Sequence, residues 1–368
     1  MSEQDSLKRT NRFPAEWEVQ EKTWLVWPQN TDLDWPGKRE SVLWSFAEIV
    51  RNLLRFQNVC MLVADSDIAQ QAKGILTDAG VFKQSPCFDL EILECATDRS
   101  WIRDSGASAV IDSCAELRWI NWEFNGWAEF EEHKSDRLIA EFMAEQTSCP
   151  VITACRPDDA GAFVMEGGCF DSNGDGVFLV TQECLLSSIK ERNPGMRKLD
   201  YELAFQKYLG CSKLIWLPYG LCGDDTHGHI DNVARFLDQR TVALPKADIS
   251  DLENFEKMEA NARALKTAND EFGLGLEIVE FALPSAVYYR GQRLAASYLN
   301  FYLANGAVLV PTFNDPNDRN ALSLFSKIYP QREVIGIYCR DLLVGGGTIH
   351  CLTQQQPLPL HRTEFTSV

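Results

Sequence analysis

Apolar residues recur along this chain in short runs separated by turns rich in Gly, Asn and Asp, with helically spaced stretches between the runs. From Arg39 to Gln57, Val42, Phe46, Ile49, Val50, Leu53 and Leu54 fall on one side of a period of about 3.6 residues, which predicts a helix. Continuous apolar runs predict buried strands at Trp24 to Pro28, Val59 to Val63, Leu90 to Ala96, Ser212 to Leu217 and Glu333 to Ile337. A helix is predicted from Asp65 to Gly80, with Asp65 or Ser66 as its cap and Gly80 as its stop. Others are predicted at Arg137 to Gln146, Asp200 to Leu209, Asp251 to Phe272 and Ala321 to Ile328. Paired strands are expected at Ser108 to Ile111 with Leu117 to Trp122, and at Cys169 to Asp171 with Val177 to Thr181. Two more hairpins are expected, His229 to Leu237 with Thr241 to Leu244, and Leu299 to Leu303 with Ala307 to Pro311. The tips near 174, 238 and 305 are spaced by roughly 65 residues, which would fit about five units of mixed strands and one helix. Repeated around a ring, such units make an α/β propeller whose polar tips meet on one axis; an ordinary α/β sheet fits the same pattern.

The polar stretches between these elements hold the chemistry. Gly345-Gly346-Gly347 precedes Cys351, a loop suited to presenting a thiol at a backbone-lined surface, although a Gly-rich turn into a terminal strand, with the cysteine a small buried hydrophobe, also fits. His229 and Asp231, two apart on an expected strand, share one face. They read as a tuned acid/base or as a structural pair. His227-x-His229-x-Asp231, with Cys222 nearby, is also a conceivable metal set. Asp104 follows a buried strand and is either a site carboxylate or a turn cap paired with Arg103. Glu166 stands beside two glycines, and Asp224 and Asp225 add acids next to His229. Asp171-x-Asn173-x-Asp175-Gly176 imitates the start of a calcium loop, but Gln182 stands where a Glu is needed and a strand follows, so this is a hairpin turn.

Composition narrows the classes. The 368 residues are 45% hydrophobic and 24% charged, ample for a sizeable core. The net charge of −18 argues against nucleic acid and suits a cationic ligand. Twelve scattered cysteines without a CxxC pair read as reduced thiols of a cytoplasmic protein, and Met1 to Arg12 lacks the apolar segment of a secretory signal. No run approaches the roughly 18–20 apolar residues that cross a bilayer. One thiol, one imidazole and up to five carboxylates without clustered Arg or Lys suit a planar multi-donor cation, the guanidinium group. A thiolate is the matching nucleophile for its central carbon.

Pro14-Ala15-Glu16-Trp17, Trp101-Ile102-Arg103-Asp104-Ser105-Gly106, Phe124-Asn125-Gly126-Trp127, Glu166-Gly167-Gly168, Glu183-Cys184-Leu185-Leu186, Arg192-Asn193-Pro194 and Gly228-His229-Ile230-Asp231-Asn232 occur in that order. Ser297 to Tyr302, Val310-Pro311 and Gly345 to Gln355 complete the set. Through these motifs the chain resembles the agmatine deiminases and bacterial peptidyl-arginine deiminases of the guanidino-group-modifying (pentein) superfamily. The resemblance implies one catalytic domain over residues 1–368, folded as a five-bladed α/β propeller. It implies Cys351 as nucleophile, His229 as general acid/base, and Asp104 and Asp231 as carboxylates clasping the guanidinium. Asp225, Glu166, Trp101, Trp127 and the Gly346 backbone are implied in the substrate pocket. No metal or organic cofactor is implied, and a homodimer is expected from the resemblance alone. The expected reaction is hydrolysis of agmatine to N-carbamoylputrescine and ammonia through an S-alkylthiouronium, on the route to putrescine. Ala128-Glu129-Phe130, His227, Thr348 and Cys169 depart from the family's usual residues. They leave open another guanidino substrate, such as free or C-terminal peptidyl arginine, for which Arg103, Arg290 or Arg293 would have to hold a carboxylate. Transfer of the amidino group to an amine, and a non-catalytic cation binder, are the remaining alternatives.

Overall fold

The computed structural model describes residues 11–83 and 87–359. Most of Met1 to Arg12, and His361, therefore lie outside the described residues. Five sheets share one pattern: an antiparallel pair, a helix, and a third strand parallel to the second. Ser108–Ile111 and Leu117–Asn121 pair antiparallel, helix α1 (Ile139–Thr147) follows, and Val151–Thr153 adds in parallel. Phe170–Ser172, Val177–Thr181, α2 (Lys198–Leu209) and Lys213–Leu217 repeat this. So do Arg235–Phe236, Thr241–Lys246, α3 (Leu252–Phe272) and Glu277–Ala282. Tyr302–Ala304, Ala307–Thr312, α4 (Asp318–Ile328) and Glu333–Tyr338 make the fourth.

The fifth sheet joins residues from opposite ends of the chain. Gln354–Pro357 pairs antiparallel with Gln20–Val26, which pairs in parallel with Asn58–Val63 and through it with Leu90–Glu94. Helices at Arg39–Leu53 and Ser66–Asp78 connect these strands, the second capped by Asp65, whose carboxylate accepts from the Ile68 amide at 2.9 Å. A separate small hairpin is made by Val287–Tyr289 and Gln292–Leu294. Between sheets the core is aromatic: Phe170, Phe178 and Phe205 meet edge-on or tilted at 5.5–6.1 Å. Among the described residues no helix is long and apolar enough to cross a membrane.

Two expectations change. His229 and Asp231 are not on a strand: Gly228 takes φ +101°, residues Ile230–Asn232 form a 3-10 turn, and the strand begins only at Arg235. The pair therefore does not share a strand face. Leu299 to Leu303 is likewise strand only from Tyr302 onward. The run Gln354 to Gln356, polar throughout, is a fully buried strand. Gln356 accepts from Trp24 and donates to Glu21, while Gln354 donates to the Ala107 carbonyl and leaves its Oε1 without a partner.

Candidate active site

Each chemical group singled out in the sequence sits just upstream of the first strand of a sheet. Asp104 lies in the one-turn helix Ile102–Ser105 ahead of Ser108, and Glu166 precedes the turn Gly167–Cys169 that enters Phe170–Ser172. His229 and Asp231 precede Arg235, Asn300 precedes Tyr302, and Cys351 precedes Gln354. These segments converge on a narrow cavity. Trp101, Trp127 and Phe130 wall it, the Gly345-Gly346-Gly347 backbone lines one side, and Asp104, Asp225, His229 and Cys351 face it.

Two glycines make the close approaches. Gly346 has φ +100°, and a Cβ there would meet the Asp225 carboxylate at 2.5 Å. A Cβ on Gly168 would meet His229 Nδ1 at 2.4 Å, and the Gly168 amide donates to Asp104 Oδ1 at 3.0 Å. The other oxygen of Asp104 accepts from the Trp127 indole at 2.9 Å. Burial pushes the Asp104 carboxyl up to about 6, with the charges of Asp231 and Glu166 adding to the effect. Burial and the adjacent Asp224 push Asp225 up to about 7.

Burial alone would lower the pKa of His229, but the carboxylates of Asp104 at 3.8 Å and Glu166 at 3.5 Å outweigh it and hold the imidazole well above its ordinary value. Neither ring nitrogen makes a hydrogen bond of ordinary length. Cys351 is buried, its sulfur 3.2 Å from the Asn300 amide and 3.6 Å from Asp231 Oδ2. Burial and the charges of Asp231 and Asp104 raise its thiol well above the usual range. Without a cation beside it, Cys351 is therefore a thiol.

Asp231 and Glu166 stand one layer back from the cavity. Asp231 Oδ2 accepts from His350 Nδ1 at 2.8 Å, and Oδ1 has no hydrogen-bond partner. Against burial, His350 holds the Asp231 carboxyl below its ordinary value. Glu166 lies behind His229 rather than in the pocket wall. Burial opposes its ionisation, but Arg192, 3.0 Å away, and His229 hold it down to about 2.

Several residues here were not anticipated. His350 Nε2 meets Glu16 at 2.9 Å, and Glu16 also meets Arg235 at 3.1 Å and Arg103 at 3.6 Å, so a buried ionic relay runs behind Cys351. Arg103 thus serves Glu16 and the His350 carbonyl, not Asp104. Asn300 accepts from the Thr348 hydroxyl at 2.7 Å and the His350 amide at 3.1 Å, which fixes the cysteine loop. Thr348 is thereby accounted for. The signal lay inside the quoted motifs, where Glu16, Arg192, Asn300 and His350 all occur, but nothing in the sequence says which of them meet.

His227, with φ +64°, does not line the cavity, and no metal set forms from His227, His229, Asp231 and Cys222 among the described residues. Arg293 pairs with Asp251 at 2.8 Å and Arg290 stacks on Tyr289, so neither reaches the cavity, and nor does Arg103.

A multi-sheet α/β protein whose sheet tips gather a buried thiol, an imidazole and several buried carboxylates defines the class. The model of the Porphyromonas-type peptidyl-arginine deiminases matches residues 12–357, and the chain belongs to that family. An agmatine deiminase of Pseudomonas aeruginosa (strain UCBPP-PA14) is 32% identical over 385 positions, spanning 98% of this chain and 99% of the relative. The solved agmatine deiminase of Enterococcus faecalis superposes with a TM-score of 0.84 at 29% identity, covering 95% of this chain and 97% of that one. A substrate-bound C. jejuni agmatine deiminase gives 0.81 at 27%, covering 96% and 98%.

Proposed function

We propose that this chain is an agmatine deiminase, hydrolysing the guanidinium group of agmatine to a ureido group with release of ammonia. The observation carrying this reading is the cavity itself: a thiol and two carboxylates in one aromatic-walled chamber, with no unpaired Arg or Lys among the described residues that line it. Arg99 does line the chamber, but it is ion-paired with Asp34 and lies over the Phe130 ring. Agmatine carries a cation at both ends. Asp104, with Asp231 behind it, suits the guanidinium, and Asp225 across the chamber suits the amine. The relatives bearing the name agmatine deiminase along nearly their whole length support the same choice. Five sheets of one pattern, one of them pairing the last strand of the chain with its first, support reading the fold as a five-bladed propeller with the site at its axis.

The chemistry follows from the charges. Entry of the guanidinium beside Cys351 offsets Asp231 and Asp104, so the thiol gives up its proton to solvent as the cation binds. The thiolate attacks the guanidinium carbon, and protonated His229 gives its proton to the departing nitrogen, releasing ammonia and leaving an S-alkylthiouronium on Cys351. Neutral His229 takes a proton from a water that attacks the same carbon, and collapse of that adduct expels the thiolate and frees the ureido product. Asp104, fixed by Trp127 and the Gly168 amide, holds the guanidinium plane during both attacks.

Ammonia release from agmatine, free arginine and a peptide ending in arginine, compared as kcat/KM, tests the substrate. Agmatine is expected to lead by at least about 100-fold, since an α-carboxylate would enter a chamber of carboxylates unpaired. Arginine equal to agmatine would overturn the assignment. Asp225→Asn should raise KM for agmatine by about tenfold or more, equivalent to ~1.4 kcal/mol, with a smaller change in kcat. Because the Asp225 carboxyl sits at about 7 in the free protein, it is protonated below that pH and ionised above it. Activity on agmatine at low substrate should therefore fall as pH drops through about 7, and Asp225→Asn should remove that step. A wild-type profile flat down to pH 5 contradicts the role given to Asp225.

A further inference from the structure

On the far side of His229 from Cys351 lies a second buried cluster that the reaction leaves unused. Cys169 Sγ is 3.4 Å from Cys184 Sγ and 2.7 Å from Glu166 Oε2, and His229 Nε2 is 3.5 Å from the same oxygen. One ligand atom from each of these four residues lies within 4.8 Å of every other, and all four side chains are buried. His229 points into this cluster with neither ring nitrogen hydrogen-bonded.

We propose that Glu166, Cys169, Cys184 and His229 form a site for one thiophilic divalent cation of the zinc class, and that filling it withdraws His229 from the reaction. A tetrahedral centre with metal–sulfur bonds of about 2.3 Å and metal–nitrogen bonds of about 2.0 Å has sulfur–sulfur edges near 3.8 Å and nitrogen–oxygen edges near 3.3 Å. The observed 3.4 Å and 3.5 Å are within a few tenths of an ångström of those edges. The Cys169–Glu166 separation of 2.7 Å must lengthen, as the shared proton there gives way to the metal. Charge balances as well. Two thiolates and Glu166 carry three negative charges, and Arg192, 3.0 Å from Glu166 Oε1 and 3.3 Å from Oε2, returns one positive. A dication brings the buried group to neutrality, and the protons displaced from the thiols leave to solvent. Two sulfurs select zinc-class ions over magnesium or calcium. The ion enters through the chamber that His229 lines. With the metal on Nε2 of His229, Nδ1 keeps its proton near neutral pH and the ring can neither give nor take one, so the occupied state is inactive. That second half rests on the acid/base role proposed for His229; the binding half does not.

The test uses full-length protein carrying Cys351→Ala, so the catalytic thiol cannot be a ligand, titrated anaerobically with cobalt(II). One equivalent should bind with a near-ultraviolet thiolate-to-cobalt band and the visible bands of a tetrahedral centre, and zinc should bleach both. Adding Cys169→Ser should weaken cobalt binding by more than about tenfold and halve the thiolate band, and Cys184→Ser should do the same. A spectrum without the thiolate band, or one unchanged by both serine variants, overturns the site. So does a loss of two titratable thiols without bound metal, which would mark the pair as a disulfide. In protein retaining Cys351, zinc should inhibit agmatine turnover reversibly with chelator, and Cys169→Ser should need at least about tenfold more zinc. Cobalt bound as described with unchanged zinc sensitivity would overturn the sharing of His229 alone. Because the spectrum is read on an inactive variant, it stands or falls separately from the deiminase assignment.

Discussion

Replacing Cys351 with alanine should lower ureido formation from agmatine by at least about 10⁴-fold, because no other group in the chamber can form the bond to the guanidinium carbon. The sulfur's polar neighbours are the Asn300 amide, Asp231 Oδ2 and the Thr348 backbone, all weak partners of a thiol, so its loss orphans little and the variant should fold. Agmatine binding should persist, since Asp104 and Asp225 remain, and isothermal calorimetry on the variant measures this directly. Mass spectrometry of wild-type protein quenched during turnover should show the amidino adduct on Cys351, absent from the variant. Turnover within tenfold of wild type would remove the thiol from the mechanism. A metal-activated water would then be the next candidate, and loss of activity to a chelator would separate the two.

The second large effect is expected far from the substrate. Glu16→Ala should destabilise the fold by about 3–5 kcal/mol, the usual cost of stripping one partner from a buried ionic group. Glu16 is buried, and burial alone would favour its protonation, yet Arg235, His350 and Arg103 hold the carboxyl well below its ordinary value. Without it, Arg235 keeps Asp171 at 3.0 Å, but His350 loses its Nε2 partner and Arg103 loses its only carboxylate contact among the described residues. Urea unfolding should show the loss. Glu16→Gln preserves the shape and isolates the charge. It should fold more stably than Glu16→Ala yet lower kcat, because Asp231 behind Cys351 takes its orientation from His350. Equal stability of wild type and Glu16→Ala would show that the relay contributes nothing net.

How far the sequence could be read depends on the range of the interaction. Local signals carried well: the helix from Arg39, the Asp65 cap and the hairpin at residues 172–176 need only neighbouring residues to specify them. The groups facing the cavity were legible because each stands beside glycines or a turn where few other side chains would be placed. What failed was burial without apolarity. Gln354 to Gln356 form a core strand whose partners are hundreds of residues away, and no hydrophobic period announces it. Glu277–Ala282 was missed for the opposite reason, being largely exposed with a single buried position. The His229–Asp231 geometry was misjudged because the positive φ of Gly228 bends the chain before the strand starts, which residue spacing alone does not reveal. Glu16 and His350 lie 334 positions apart, and only the folded chain makes them neighbours.

The pairing of Gln354–Pro357 with Gln20–Val26 has a kinetic meaning. Bringing together segments so distant closes a very large loop, and such contacts are made late in folding because the entropy must be lost before they return anything. Cys351 is on the late-arriving strand's threshold, and both the Glu16 carboxylate and the Asp231 side chain meet it or its neighbour only once that strand docks. During synthesis the other four sheets can assemble around an incomplete chamber, cation-binding yet unreactive. Chemistry switches on with the last pairing, so the appearance of activity during refolding should report the docking of this strand rather than the collapse of the core.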